Sequence, residues 1–274
     1  MHTRYTGRTL VREIVLIAVA ALWFVPILAL VNVSLKPVNS QTNALTPTWP
    51  PTLDNYAAAW TEASLGSALA NSAIVAVVSI AIIVAVSALA SYPLARVTRT
   101  WSRWTFYALL GGLLVPAQLA LLPLYSTMRD LGLLGSLWAV ILINVGTAMP
   151  FSIFLYTTFL RDLPIEYEEA ALLDGCGPVR SFLRVVFPLV RPATGTVIIL
   201  NLVSIWNEFF VPLLYLGGSG NTTAPVAIYS FVSQYVTVWP LVFAGLVISV
   251  IPILIVYFSL QKYVIKGFAG GLKG

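Results

Sequence analysis

Glu169-Ala170-Ala171-Leu172-Leu173-Asp174-Gly175, running on to Phe182, Pro188 and Pro192, is a charged stretch in a chain that is otherwise almost all hydrocarbon. Residues 161–191 read as two short helices joined by a tight corner. Pro164 suits a first helical turn with Asp162 or Leu163 before it, and Glu166, Glu168 and Glu169 complement a positive helix N-terminus. Ala170, Ala171, Leu172 and Leu173 are strong helix formers. Gly175 and Gly177 can take the left-handed conformation that ends a helix. Pro178 then fits the start of a second helix and Pro188 its end. Arg180 and Arg184 share one face of that helix, and Phe182, Val185 and Val186 offer apolar surface on another. Such a segment either lies on a membrane surface as an amphipathic loop or meets a partner in water. The small pair Ala170-Ala171 favours the partner, because small side chains let a groove approach the backbone closely.

Composition sets the frame for that segment. The 274 residues are 59% apolar and 9% charged, against about 25% charged in ordinary soluble domains. The chain is expected to be an all-α polytopic membrane protein. Its one cysteine, Cys176, excludes an intramolecular disulfide and a cysteine-rich metal site, and its one histidine, His2, stands beside the initiator. No catalytic residue, metal site or bound cofactor is expected, and a membrane enzyme is disfavoured. The net charge of +5 needs no nucleic-acid partner once orientation is considered.

A membrane-crossing helix needs about 20 mostly apolar residues. Charge-free runs place six: about 14–34, 68–94, 104–126, 135–160, 192–214 and 241–262. Pro26, Pro116, Pro150 and Pro252 fall inside spans and suggest kinks that neighbouring helices accommodate. The whole chain, 1–274, then reads as one transmembrane domain with outer loops at 35–67 and 215–240 and the charged loop 161–191 inside. With both termini cytoplasmic, thirteen of the fifteen Lys and Arg lie inside, and Lys36 and Arg129 lie outside. Adding or dropping one span would scramble that asymmetry. The basic N-terminal lead followed by an apolar run could be a signal peptide. The run of roughly twenty residues is longer than such a core, and no small-residue cleavage site follows, so an uncleaved first span is expected.

The spacing E-A-A-x-x-D-G, with Phe182 seven residues after Gly175, then Val185, Pro188 and Pro192, resembles the "EAA loop" of permease subunits of binding-protein-dependent ABC importers. Cys176 departs from that pattern, where Ala or another small residue is usual. Cysteine is itself small, and the docking helix is expected to persist. Further matches point to the carbohydrate-uptake, maltose-permease-like branch: Thr52-Leu53-Asp54-Asn55-Tyr56, Asn71-Ser72, Val115-Pro116-Ala117-Gln118, Leu122-Pro123-Leu124-Tyr125 and Trp206-Asn207-Glu208-Phe209. The ending Gly270-Gly271-Leu272-Lys273-Gly274 is similar to the branch's G-A-V-K-G tail, which reaches into the ATPase interface. The resemblance implies that Glu169, Ala170, Ala171, Asp174 and Gly175 couple to a dimeric nucleotide-binding ATPase. It also implies a second permease, expected to be a homologue rather than a copy, an extracytoplasmic sugar-binding protein, and a place in the bacterial cytoplasmic membrane among its lipids. No G-x-x-x-x-G-K-[ST] occurs, so ATP is expected on the partner ATPase.

Glu208 is the one ionisable residue deep in an apolar run, and such residues usually face a bundle interior or water. It lies about 24 Å beyond Pro192 if the helix is continuous. It either lines a translocation path with Asn207 or bonds a neighbouring helix as a structural acid. Gln118, Asn144 and Asn201 are weaker path candidates. Loop 215–240 reads equally as a plain outer loop or, by resemblance, as an element that enters the sugar-binding protein. Two alternatives to a sugar importer stay open: an ABC import permease for another small solute, and a stand-alone secondary transporter, in which the charged loop would lack a purpose.

Overall fold

The structure is a computed structural model, and it describes residues 7–40, 42–232 and 237–270. The tail match at 271–274 lies outside the described residues. The helices are α1 (Gly7–Ser34), α2 (Asp54–Glu62), α3 (Leu65–Arg96), α4 (Thr100–Gly112), α5 (Leu121–Asp130), α6 (Leu137–Asp162), α7 (Glu166–Leu173), α8 (Pro178–Ser181), α9 (Phe187–Leu189), α10 (Arg191–Trp206), α11 (Phe210–Tyr215), α12 (Ala224–Tyr229) and α13 (Trp239–Gly270). Among the described residues no strand forms; Val232 and Thr237 make an isolated antiparallel bridge.

Among the described residues, four helices are long and apolar enough to cross a membrane: Thr9–Ser34, Leu65–Arg96, Leu137–Asp162 and Trp239–Gln261. Two bent pairs, Thr100–Gly112 with Ala117–Asp130 and Pro178–Leu189 with Arg191–Trp206, would each add one crossing if counted together. The run expected as a single helix at about 104–126 is instead broken, with α4 and the segment from Ala117 meeting at 87°. Gly111 and Gly112 end α4, and Pro116, which has no N–H to donate and a fixed φ, precedes a 3-10 turn at Ala117–Ala120. Pro26, Pro150 and Pro252 instead sit within continuous helices. The run expected at about 192–214 also breaks. Helix α10 stops at Trp206 and α11 restarts at Phe210. Pro212 cannot donate to the carbonyl of residue 208, so the chain restarts with Pro212 in the first turn of a new helix.

By packing, the chain falls into two compact units. The first comprises residues 1–66 and 227–251. Here the segment after α1 is tied back to that helix. Asn32 Nδ2 donates to Ala44 O and Thr46 O, both at 2.7 Å. Asn55 Nδ2 donates to Ser34 O at 2.8 Å and Lys36 O at 2.7 Å. The most apolar window of α1 buries nothing inside the chain.

The second unit comprises residues 67–226 and 252–274. Its core joins α3, α6 and α10 through Ile83, Val140, Tyr156, Leu160 and Val197. In hydrocarbon there is little hydrophobic drive between helices, so small residues and interhelical hydrogen bonds carry specificity, at about 0.6 kcal/mol each. Ser91 Oγ donates to Ile153 O at 3.1 Å, linking α3 to α6. Tyr156 OH donates to Thr194 Oγ1 at 2.9 Å, and Asn201 Nδ2 to Ser152 Oγ at 3.1 Å, linking α6 to α10.

Candidate functional site

The charged segment is built on α7. Glu166, Glu168 and Glu169 occupy its first turn, where the aligned peptide dipoles favour negative charge. Pro164 stands before the helix rather than in it, because α7 begins at Glu166. The C-terminal end closes in a Schellman arrangement. Cys176 N–H donates to Ala171 O at 2.9 Å and Gly175 N–H to Leu172 O at 3.0 Å. Gly175 has φ +76°, the left-handed conformation that this cap requires. Gly177 does not share it, since its backbone is extended and precedes Pro178 of α8. The second helix does not end at Pro188. A π-turn at Phe182–Val186 leads into α9, which contains Pro188, and the turn comes at Val190. The wider turn accommodates the proline ring and its missing N–H.

The faces of α7 are sharply different. Glu168 turns inward: its Oε1 accepts from Arg96 Nε and its Oε2 from Tyr92 OH, both at 2.7 Å. Arg96 Nη2 also donates to Leu163 O at 3.0 Å. Ala171, one turn on, is buried, as is Phe182, whose ring lies 5.1 Å from that of Tyr92. The expected small pair is thus divided, with Ala171 packed inside and Ala170 exposed. Glu169, Leu172, Asp174 and Gly175 are also exposed. Leu173 is 90% exposed and Val179 71%. This is a charged and apolar surface on a helix whose other side is pinned to the end of α3.

A second site lies in the same unit. A cavity of about 400 Å³ is lined by Asn144, Thr147, Phe151, Asn201, Ser204 and Glu208, among others. Glu208 is not inside a helix, because α10 ends two residues earlier. Its Oε1 accepts from Val211 N–H at 3.1 Å and so caps α11. Asn144 is buried, yet its Nδ2 has no protein partner. An orphaned buried donor costs about 1–3 kcal/mol unless something else satisfies it. Asn207 does not line this cavity; its Nδ2 turns back to Val203 O at 2.8 Å and helps end α10. Of the polar residues singled out in the apolar runs, Glu208, Asn144 and Asn201 are therefore brought together, and Asn207 is not.

Sequence reasoning did not find the anchor made by Glu168, Arg96 and Tyr92. The available signal was helical phase: Glu168 stands three residues before Ala171, so the two share a face.

The chain thus presents an inwardly anchored, outwardly bare helix between apolar spans and, elsewhere in the same unit, a polar cavity. Residues 6–270 match the family of binding-protein-dependent transport system inner membrane components, and the chain belongs to that family. It is 34% identical over 220 residues to the diacetylchitobiose uptake system permease protein NgcG of Streptomyces coelicolor, covering 80% of this chain and 73% of that one. It is 32% identical over 254 residues to the melibiose/raffinose/stachyose import permease protein MelC of Bacillus subtilis, covering 92% of each. A solved bacterial ABC transporter involved in the import of the acidic polysaccharide alginate has a similar fold. The TM-score is 0.82 at 22% identity, over 96% of this chain and 100% of that one.

Proposed function

We propose that this chain is one of two permease subunits of an ATP-driven importer for a sugar or oligosaccharide in the bacterial cytoplasmic membrane. Family membership supports the permease role, and the sugars that the relatives' names carry support the substrate class. The observation that carries coupling is the outward face of α7, with Glu169, Ala170 and Leu173 exposed while Glu168 holds the helix to Arg96. That face docks on a dimeric ATPase, which binds and hydrolyses the ATP. Closure of the ATPase shifts the permease between its inward- and outward-facing states, and α7 transmits the difference.

Counting α4 with α5 as one crossing and α10 with α11 as another makes six spans in a single domain over 1–274, with both termini and residues 161–191 in the cytoplasm. A homologous second permease completes the path, and an extracytoplasmic sugar-binding protein delivers substrate. The cavity at Asn144, Asn201 and Glu208 is this chain's share of the translocation path. A hydroxyl-rich ligand suits it, since Asn144 Nδ2 is a free donor and Glu208 an acceptor.

Affinity purification of the chain from its native membrane tests this reading. An ATP-hydrolysing subunit and a second permease should be recovered with it, and cells lacking it should lose uptake of at least one labelled oligosaccharide. Recovery of the chain alone, with uptake intact, would refute the importer reading.

A further inference from the structure

A third cavity, of about 270 Å³, opens where the end of α3 meets α4 and the end of α6. Its lining includes Thr98, Arg99, Ser102, Arg103, Tyr107 and Arg161. None of the three arginines forms an ion pair with any described carboxylate. Arg161 is held in place: its guanidinium carbon lies 4.5 Å over the Phe106 ring, and Nη2 donates to Leu94 O at 3.4 Å. Most of its five N–H donors remain free. Arg99 precedes the first turn of α4, a 13-residue helix, and Arg103 follows one turn later on the same side, with Tyr107 a turn beyond. Three arginines without an ion pair around one concavity suit an anion, because arginine binds phosphate oxygens bidentately.

The surroundings say where that anion comes from. Trp101, Trp104 and Tyr107 are all about half exposed or more, with Trp104 at 69%. Trp and Tyr at this density mark the level of lipid headgroups. Beyond them, Leu113 and Leu114 are exposed just past the far end of the same helix, so exposed apolar side chains also stand at the end away from the arginines. A soluble phosphate would use the cations alone, whereas a lipid uses the cations, the aromatic level and the apolar surface together.

We propose that this cleft binds the phosphate of an anionic phospholipid, with Arg99, Arg103 and Arg161 as its ligands. The site rests on the reading above that places these arginines at the cytoplasmic membrane surface, where anionic lipids attract basic clusters. Lipid bound there would steady the junction between α3 and α4, a few residues from the Arg96 that holds α7.

The test is native mass spectrometry of the full chain, purified with its co-purifying subunits from nanodiscs of equal phosphatidylglycerol and phosphatidylcholine. The intact complex should retain phosphatidylglycerol about tenfold over phosphatidylcholine. Arg99→Gln combined with Arg103→Gln should bring that ratio near one, with recovery of the ATPase unchanged. Inorganic phosphate at 50 mM, about fiftyfold above a millimolar Kd, should not displace the lipid. Equal retention of the two lipids by the unaltered complex would overturn the site, and so would a ratio unaffected by the double substitution. Displacement by inorganic phosphate would show a soluble-anion site instead. Failure to recover an ATPase at all would count against the importer reading and leave the lipid ratio to be read on its own.

Discussion

Arg96, in the last turn of α3, and Glu168, in the first turn of α7, are joined by a 2.7 Å bond from Nε to Oε1 across 72 residues of sequence. Their side chains are 15% and 9% exposed. An ion pair this far from solvent is expensive to break on one side, because the remaining charge loses its partner but not its burial. The pair therefore fixes where the segment 161–191 sits against the end of a long apolar helix.

Replacing the two partners should not be equivalent. Arg96→Gln strands the Glu168 carboxylate and should cost about 3 kcal/mol. Glu168→Gln removes the charge but can still accept from Arg96 or Tyr92, so it should cost about half as much. Limited proteolysis between 161 and 191 in membrane vesicles measures the effect, with Arg96→Gln cleaved faster. Cleavage of both variants at the rate of the unaltered chain would mean that the pair does not hold the segment.

At Gly175 the backbone and the surface can be separated. A Cβ built there meets nothing within 4 Å, so φ +76° is the sole local obstacle to a side chain. Gly175→Ala should cost about 1 kcal/mol of cap stability and Gly175→Asn less, since asparagine tolerates the left-handed region. Gly175→Trp adds bulk on the face proposed to dock and should abolish uptake with the protein still inserted, as should Glu169→Lys. Wild-type uptake by these last two variants would remove the face around Gly175 and Glu169 from coupling.

How much of this was readable beforehand depends on the range of the interaction. Apolar runs such as 65–96 announce themselves by length, and the Schellman cap at Gly175 is written within six residues. The break after Gly112 was not readable, because a proline in an apolar run can kink a helix or end it; Pro116 stands at a break while Pro150 does not. Glu168 and Glu169 are neighbours of identical chemistry. Which one points inward depends on Arg96, on another helix. Likewise Asn144 and Glu208 meet in one cavity because α6 packs on α10, a tertiary fact with no local signature.

Within that cavity, Asn144→Leu removes a donor that the protein leaves unpaired. Recovery of the complex should change little, and the KM for uptake should rise about three- to tenfold, the worth of one neutral hydrogen bond. Glu208→Gln keeps size and acceptor capacity, so Val211 N–H stays capped, and selectivity among several sugars should shift. Poor recovery with unchanged selectivity would make both residues structural.

Orientation is open to labelling. In a Cys176→Ala background, single cysteines at positions 40 and 220 should react with an impermeant thiol reagent in intact cells, and one at position 100 should not. Reaction at position 100 would overturn the six-span reading with both termini inside, and would move the three arginines near it to the outer surface.

The most direct measurement places a photo-crosslinking amino acid at position 173, whose side chain is 90% exposed at the end of α7. Irradiation of native membranes, followed by mass spectrometry of the adduct, identifies what lies against it. The expected product is a covalent adduct to an ATP-hydrolysing subunit, lost in Arg96→Gln and absent when the crosslinker stands at the buried position 140. Adducts to lipid alone from position 173 would contradict docking on an ATPase and make the segment a helix resting on the membrane surface.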